Sequence, residues 1–174
     1  DATGFSINGK GYMGTGYSGT YQSDWWEYDP ATDSWTQKAS YPGGGIVEAV
    51  SFAIGAYGYV VASPASNDVY RYDPASNTWT AMAPFPGGTR QAAVAFTINN
   101  KGYVCTGMGF GLDYNDLWEY DPSTNSWAQK SSMPTNGRHY ACGFAIGNKA
   151  YVGTGIIPGS GLMNDFWEWD AITD

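Results

Sequence analysis

The stretch KGYVCTGMGFGLDYNDLWEYDPSTNSW, residues 101–127, determines the fold because it occurs four times in the chain with variations. Its counterparts begin at residues 10, 57 and 149. Three residue types keep one register: Phe recurs after 47, 44 and 48 residues, Trp after 44 and 48, and Asp after 44, 48 and 49. They are Phe5, Phe52, Phe96 and Phe144; Trp35, Trp79 and Trp127; and Asp29, Asp73, Asp121 and Asp170. The chain is therefore an array of repeats.

Each repeat contains four short runs that are rich in aromatic and β-branched residues, which is the signal of β-strands. In the third repeat these runs are residues 92–98, 102–106, 116–120 and 126–130. Asn and Gly separate the first two runs, and Asp-Pro ends the third, so turns are expected there. No segment has helical periodicity. The sequence predicts an all-β single domain of four-stranded antiparallel units, covering about residues 3–46, 47–90, 91–138 and 139–174.

A four-stranded unit cannot bury both of its faces alone, so neighbouring units must pack face to face, as propeller blades do. The residues that carry a family resemblance are Tyr-Asp followed by Trp, as in Tyr120-Asp121 with Trp127, and a strand ending Tyr-Val-x-x-Gly, as at residues 103–107. This pattern resembles the kelch motif over essentially the whole chain. One departure is that Cys105-Thr106-Gly107 stands where kelch repeats carry a Gly-Gly doublet. The resemblance implies a kelch-type β-propeller like the central domain of galactose oxidase.

The fourth repeat stops before a counterpart of its outermost strand, because nothing after Asp170 resembles the PSTNSW of residues 122–127. Kelch propellers typically have six or seven blades, so the resemblance implies about half a ring. Three alternatives follow: a segment of a longer chain, a half-ring that pairs with a second copy, or a complete small ring. An open array exposes apolar blade faces. We therefore expect another copy, or the remainder of a propeller, to cover the open blade ends.

The composition of the chain limits the classes of partner that it is expected to bind. With 8 basic and 16 acidic residues the net charge is −8, which disfavours nucleic acid. No apolar run is long enough for a transmembrane helix, so no membrane insertion is expected. Cys105 and Cys142 fall in predicted buried strands of different repeats, and we do not expect them to pair. Many Gly, Tyr and Trp with few Lys resemble secreted bacterial repeat proteins, which implies an extracellular or cell-surface location.

Variable loops on a repeated scaffold are where binding sites are usually found. In a four-stranded meander, the loop between strands two and three lies at the same end as the segment leading into the next first strand. The first set of loops is residues 17–23, 64–67, 108–115 and 156–164; the second set is residues 41–48, 85–91 and 133–140. Residues 107–111 are read as a flexible loop. Ligand-binding candidates in these loops are Tyr17, Tyr21, Glu48, Arg90, Asp113, Tyr114, Arg138 and His139.

These candidates suit a protein or a glycan, because aromatic faces stack while Arg and Asp supply directional hydrogen bonds. Each also has a structural interpretation. Arg90 and Arg138 occupy equivalent positions 48 residues apart, as arginines that pair with an acidic residue in kelch blades do. The aromatic residues of the strands, such as Trp25 and Trp118, are expected in the core.

A single histidine and two cysteines cannot build the copper site of a kelch oxidase or a structural zinc site, so no metal or cofactor is expected. The sequence favours a non-catalytic binding or interaction module. Two alternatives stay open. One is a structural module that closes a propeller with a second copy. The other is a sugar isomerase resembling the kelch sialic-acid mutarotases, with Glu48, Arg90, Arg138 and His139 in the channel.

Overall fold

The computed structural model describes residues 1–61 and 63–173, and within them every regular element is a β-strand. The strands form three four-stranded antiparallel sheets and one three-stranded sheet, each with its strands in sequence order apart from two short hairpins in the loops. Each sheet is one predicted repeat, and we call it a blade. The prediction of an all-β array of four propeller blades, the last without its outer strand, is confirmed.

The strand bounds follow the repeat closely. Blade 1 contains β1 (Thr3–Ile7), β2 (Lys10–Gly14), β3 (Trp25–Asp29) and β4 (Ser34–Lys38). Blade 2 contains β5 (Val50–Ile54), β6 (Tyr57–Val61), β7 (Val69–Asp73) and β8 (Thr78–Ala81). Blade 3 contains β9 (Val94–Ile98), β10 (Lys101–Cys105), the hairpin β11 (Met108–Gly109) and β12 (Leu112–Asp113), then β13 (Leu117–Asp121) and β14 (Ser126–Lys130). Blade 4 contains β15 (Cys142–Ile146), β16 (Lys149–Gly153), the hairpin β17 (Ile156–Ile157) and β18 (Gly161–Leu162), then β19 (Phe166–Asp170).

The turn between the third and fourth strands is built the same way in the three four-stranded blades. The aspartate that ends the third strand accepts a hydrogen bond from the backbone N–H two residues later, as Asp121 does from Ser123 at 2.8 Å. Asn125, three residues after Pro122, has a φ of 49°, in the left-handed region that Asn tolerates. Its carboxamide oxygen accepts a hydrogen bond from the Tyr120 hydroxyl at 2.9 Å. The residues of the recurring Tyr-Asp-Pro pattern therefore stabilise this turn.

At two of the three interfaces between blades, a phenylalanine ring packs into the space left by a glycine. The inner strands β1, β5, β9 and β15 lie side by side in that order. The Phe52 ring of β5 packs on Gly102 of β10, where an added Cβ would lie 2.1 Å from the ring. Phe5 meets Gly58 in the same way, at 1.9 Å. Glycine is required at these positions because the neighbouring blade fills the space of a side chain.

The two terminal blades each keep one uncovered face. Phe52 and Phe96 are 4% and 6% exposed, whereas their counterpart Phe144 in blade 4 is 46% exposed and Ile146 is 65% exposed. At the other end of the array, Met13 and Trp35 of blade 1 are 43% and 51% exposed. The described residues thus form an open array, and no closed four-bladed ring covers these faces.

The prediction that both cysteines lie in buried strands is wrong for Cys142. Cys105 is buried between blades 3 and 4, and burial raises the pKa of its thiol to about 12. Cys142 is exposed because it lies on β15, and one face of the β15 sheet packs on no other blade among the described residues. Both thiols are free, in agreement with the expectation that they do not pair.

Buried tyrosines make the fold sensitive to alkali. Burial raises the pKa of Tyr120 and of Tyr72 to about 12, against about 10 for a free phenol. Because the two phenols ionise less readily in the folded state, they stabilise the fold fully below about pH 10. This contribution is lost as the pH rises toward about 12. We expect the free energy of unfolding, measured by urea denaturation, to fall over that window and to fall less steeply in Tyr120→Phe. An identical pH dependence in the variant would contradict this account.

Candidate functional site

One end of the array, which we call the loop face, collects all the loops between second and third strands, together with the segments that lead into each next inner strand. Backbone hydrogen bonds tie the two sets together. Gln91 and Met108 exchange a pair of them at 2.9 Å, and His139 and Ile156 exchange another pair at 2.9 and 3.2 Å. In blade 1 the N–H of Gly16 donates to the carbonyl of Ile46 at 2.8 Å. The expectation that both sets of loops share one end is confirmed.

The loops of the loop face differ in height. The loop of blade 2, residues 64–67, is the shortest, while blades 3 and 4 each raise a small hairpin, β11–β12 and β17–β18. The interpretation of residues 107–111 as a flexible loop is wrong, because Met108 pairs with Asp113 and Gly109 with Leu112. The two residues at the tip, Phe110 and Gly111, have φ angles of 52° and 78°, as a two-residue hairpin turn with two positive φ angles requires.

Large apolar side chains stand at the tips of the tall loops. Phe110 is 87% exposed and Leu162 is 85% exposed, and Leu112 lies beside the first at 64%. In blade 1, Tyr17 and Tyr21 are 61% and 64% exposed, and their rings meet edge to face at 5.6 Å. These five residues are the raised apolar tips. Of the residues proposed from the sequence, Tyr17 and Tyr21 belong to this group.

The low loop of blade 2 leaves two adjoining depressions, which together we call the blade 2 groove. One, of about 230 Å³, extends toward Phe110 and Met108. The other, of about 210 Å³, extends toward Tyr21 and Ile46. Both are lined in part by Pro64 and Gln91, and no charged side chain lines either depression. The groove is therefore apolar, with a few neutral hydrogen-bonding groups.

Arg90 and Arg138 were proposed as ligand-binding residues, but their side chains are fully buried. The guanidinium of Arg90 donates to both carboxylate oxygens of Asp116, at 2.6 and 2.9 Å, and to the carbonyl of Thr106 at 2.9 Å. Arg138 repeats this geometry with Asp165, at 2.7 and 2.8 Å. The Arg138 guanidinium holds the pKa of Asp165 far below its usual range. Their placement supports the structural interpretation of both arginines.

Tyr114 belongs to the same structural unit. Its ring lies over the Arg90 guanidinium, with 4.1 Å from the ring centroid to the Cζ atom. This cation–π contact covers the buried arginine from the loop face. The sequence proposed Tyr114 as a stacking surface for a ligand, whereas in the structure that stacking partner is Arg90.

His139 and Glu48 lie in the segments that lead into inner strands, Asp113 lies on β12, and each of the three has a side-chain partner. His139 Nδ1 is 2.9 Å from Asp113 Oδ1, and both side chains are mostly buried, at 13% and 4% exposed. The Tyr140 hydroxyl donates to Glu48 Oε1 at 2.9 Å, which joins the entry to blade 4 with the entry to blade 2. Glu48 and Tyr140 both have positive φ, at 52° and 53°. Sequence reasoning missed Tyr140, although it stands four residues before Phe144, as Glu48 does before Phe52.

Comparisons with known proteins agree with this architecture. The family model described as the kelch motif matches residues 56–86 and 89–134. Among solved structures, one titled "Structure of YjhT" is similar to this chain with a TM-score of 0.87 and 25% sequence identity. The similarity covers 99% of this chain and 63% of that one, so this chain spans less than two thirds of it. No curated protein sequence matches the chain. Among the described residues, no helix is long and apolar enough to cross a membrane.

Proposed function

Since the chain is a kelch-repeat β-propeller, we propose that it is a non-catalytic interaction module that binds a protein partner on the loop face. The observation that carries this proposal is the set of raised apolar tips, among which Phe110 and Leu162 are almost fully exposed. Side chains of this size and exposure contribute nothing to the core of the chain itself. Exposed apolar groups gathered on one surface are typical of interaction sites.

A protein ligand fits the chemistry of these tips better than a glycan does. Leu112 and Leu162 offer no hydrogen bond and no flat ring for a sugar to stack on, whereas the side chains of a protein pack readily on leucine. The Tyr17–Tyr21 pair would serve either ligand. The uncharged blade 2 groove lies between Tyr21 and Phe110, so that a partner resting on both could place neutral side chains in it.

We propose a non-catalytic role because the side chains suggested for a sugar isomerase contact other residues of the chain. Arg90 and Arg138 are buried in their pairs with Asp116 and Asp165. Glu48 accepts the hydrogen bond of Tyr140. His139 lies against Asp113, with Nδ1 2.9 Å from Oδ1. An isomerase that used these four residues would have to break contacts that hold the loops together.

A specific observation favours a second candidate function, assembly through the open blade faces. Phe144 stands exposed on blade 4, whereas its counterparts Phe5 and Phe52 pack into the space left by a glycine of the neighbouring blade. Gly11 of blade 1 is the matching gap, and an added Cβ there would meet only Tyr28 Cβ at 3.7 Å. The two ends are therefore complementary in the sense of the internal interfaces. A second copy, or the remainder of a longer propeller, would fit between them.

Panning of a displayed random peptide library on the immobilised chain tests the loop-face proposal. We expect selected peptides to bind the wild type and to lose at least about tenfold in affinity for Phe110→Asp, because the substitution places a charge at the centre of the contact. Ile172→Asp is the matched control, since Ile172 is also an exposed apolar residue, at 68%, but lies in a turn at the opposite end.

The control should bind like the wild type. A glycan array probed in parallel decides between ligand classes. Glycan binding without any peptide binding, or peptides that bind Phe110→Asp as tightly as the wild type, would overturn the proposal.

A further inference from the structure

Three of the four blades repeat the same charged pair near the end that is opposite the loop face. Lys10 Nζ lies 3.0 Å from Glu27, and Lys101 Nζ lies 2.8 Å from Glu119. Lys149 pairs with Glu168 in the same way. In blades 1 and 3 the neighbouring tyrosine hydroxyl also donates to this glutamate, at 2.7 Å. The glutamate thus neutralises the lysine and accepts the hydrogen bond of a buried phenol.

Blade 2 departs from this pattern at both positions. Tyr57 stands in the place of the lysine and Arg71 in the place of the glutamate, which the strand register confirms, since Tyr59 faces Arg71 as Tyr103 faces Glu119. The guanidinium of Arg71 lies over the Tyr57 ring, 4.4 Å from its centroid. The blade therefore carries a cation where its neighbours carry an anion.

Arg71 makes no salt bridge within 4 Å in the described part of the chain, although its charge contributes to lowering the pKa of Asp73. The Nε of Arg71 is buried without a hydrogen-bond partner, as are those of Arg90 and Arg138, and its guanidinium interacts with the Tyr59 hydroxyl. Asp73, the acidic residue two positions away, is occupied with its own turn and accepts the N–H of Ala75 at 2.9 Å. Arg71 is therefore set apart by the lack of a carboxylate partner, since Arg90 and Arg138 each have one.

The arginine faces a shallow, open depression of about 490 Å³ between blades 2 and 3. Its lining includes Gly55, Tyr57, Tyr59, Arg71, Asn100 and Ser123. Arg71 is the single charged residue of that lining. The amide of Asn100 can donate a further hydrogen bond, whereas the Ser123 hydroxyl already donates to Asp121 at 2.6 Å.

We propose that this depression is an anion-binding site in which Arg71 takes a carboxylate or phosphate group of a ligand. A guanidinium presents two parallel N–H groups that match either anion, and stacking on Tyr57 fixes its plane in advance. The rest of the chain carries an excess of negative charge, so an anion is expected to bind at this depression rather than elsewhere on the surface. The depression lies opposite the loop face, and this proposal stands independently of the proposed function.

Titration with inorganic phosphate and, separately, with acetate tests the site, followed by the NMR shifts of the Gly55 and Asn100 amides. The matched variant is the double substitution Tyr57→Lys with Arg71→Glu, which gives blade 2 the pair that already folds in blade 3. We expect saturable shifts in the wild type and at least about tenfold weaker binding in the double variant, since the charge-assisted fork is lost. Arg71→Gln, with Tyr57 kept, is a second variant in case the double variant fails to fold.

The two ligands separate the sources of the anion. Tighter binding of phosphate indicates a phosphorylated ligand, and tighter binding of acetate indicates a carboxylate ligand. Shifts that do not saturate in the wild type, or that persist unchanged in Arg71→Gln and in the double variant, would overturn the proposal.

Discussion

Arg90→Ala is expected to lower the free energy of unfolding by about 3–5 kcal/mol, the usual effect of removing one partner from a buried ion pair. The Arg90 side chain is fully buried and holds Asp116, the carbonyl of Thr106 and the carbonyl of Gly87 together. Without it, two carbonyls lose the arginine donor, and the partly buried carboxylate of Asp116 keeps the indole N–H of Trp118 but no cation. Urea denaturation followed by tryptophan fluorescence measures this loss.

Lys101→Ala is the control for Arg90→Ala. Lys101 also pairs with a carboxylate of blade 3, Glu119, but its side chain is 36% exposed. An exposed pair contributes at most about 1 kcal/mol. If Arg90→Ala costs no more than Lys101→Ala, the arginine is not structural, and a ligand-binding role for it would have to be reconsidered.

Gly102→Val is expected to destabilise the chain by about 3 kcal/mol, at the upper end of the range for an overpacked core. An added Cβ would lie 2.1 Å from the Phe52 ring, which is itself 4% exposed and has no free space to move into. The substitution therefore forces blades 2 and 3 apart. Gly102→Ala should cost less, because Ala150 occupies the equivalent place in blade 4.

Gly11→Val is the matched control and tests the open face as well. At Gly11 only Tyr28 Cβ lies near an added Cβ, so the stability of the single chain should change by no more than about 0.5 kcal/mol. If copies associate through the blade 1 face, the same valine should abolish that association in light scattering over a dilution series. Equal losses of stability in Gly11→Val and Gly102→Val would contradict the interpretation of how the blades lock.

The sequence predicted the fold well because propeller blades are repeated units. Each Phe, Trp and Asp of the pattern has a local role that must be met in every blade, such as the Asp121 turn or the Phe52 contact with Gly102. The hairpin at residues 108–113 was missed, because its tip places Phe110 in a left-handed conformation that the residue type does not signal. The exposure of Cys142 depends on a missing neighbour and cannot be read from its own strand.

The candidate site was harder to predict. Arg90 and Arg138 occupy equivalent positions in the repeat, but the sequence alone does not reveal whether their side chains point to the surface or to the interior. Their recurrence, with Asp116 and Asp165 recurring beside them, is itself a sign of structure. Arg71 shows the reverse case, because its departure from the repeat is visible in the sequence, whereas the depression that it faces is not.

The hydrogen-exchange footprint of a selected peptide ligand tests the central claim most directly, since it shows where on the propeller the ligand binds. We predict protection of backbone amides in residues 17–23, 108–115 and 156–164, the loops that carry the raised apolar tips, and no change at the open faces of blades 1 and 4. Protection confined to those open faces, or to the turns at the opposite end, would contradict the account.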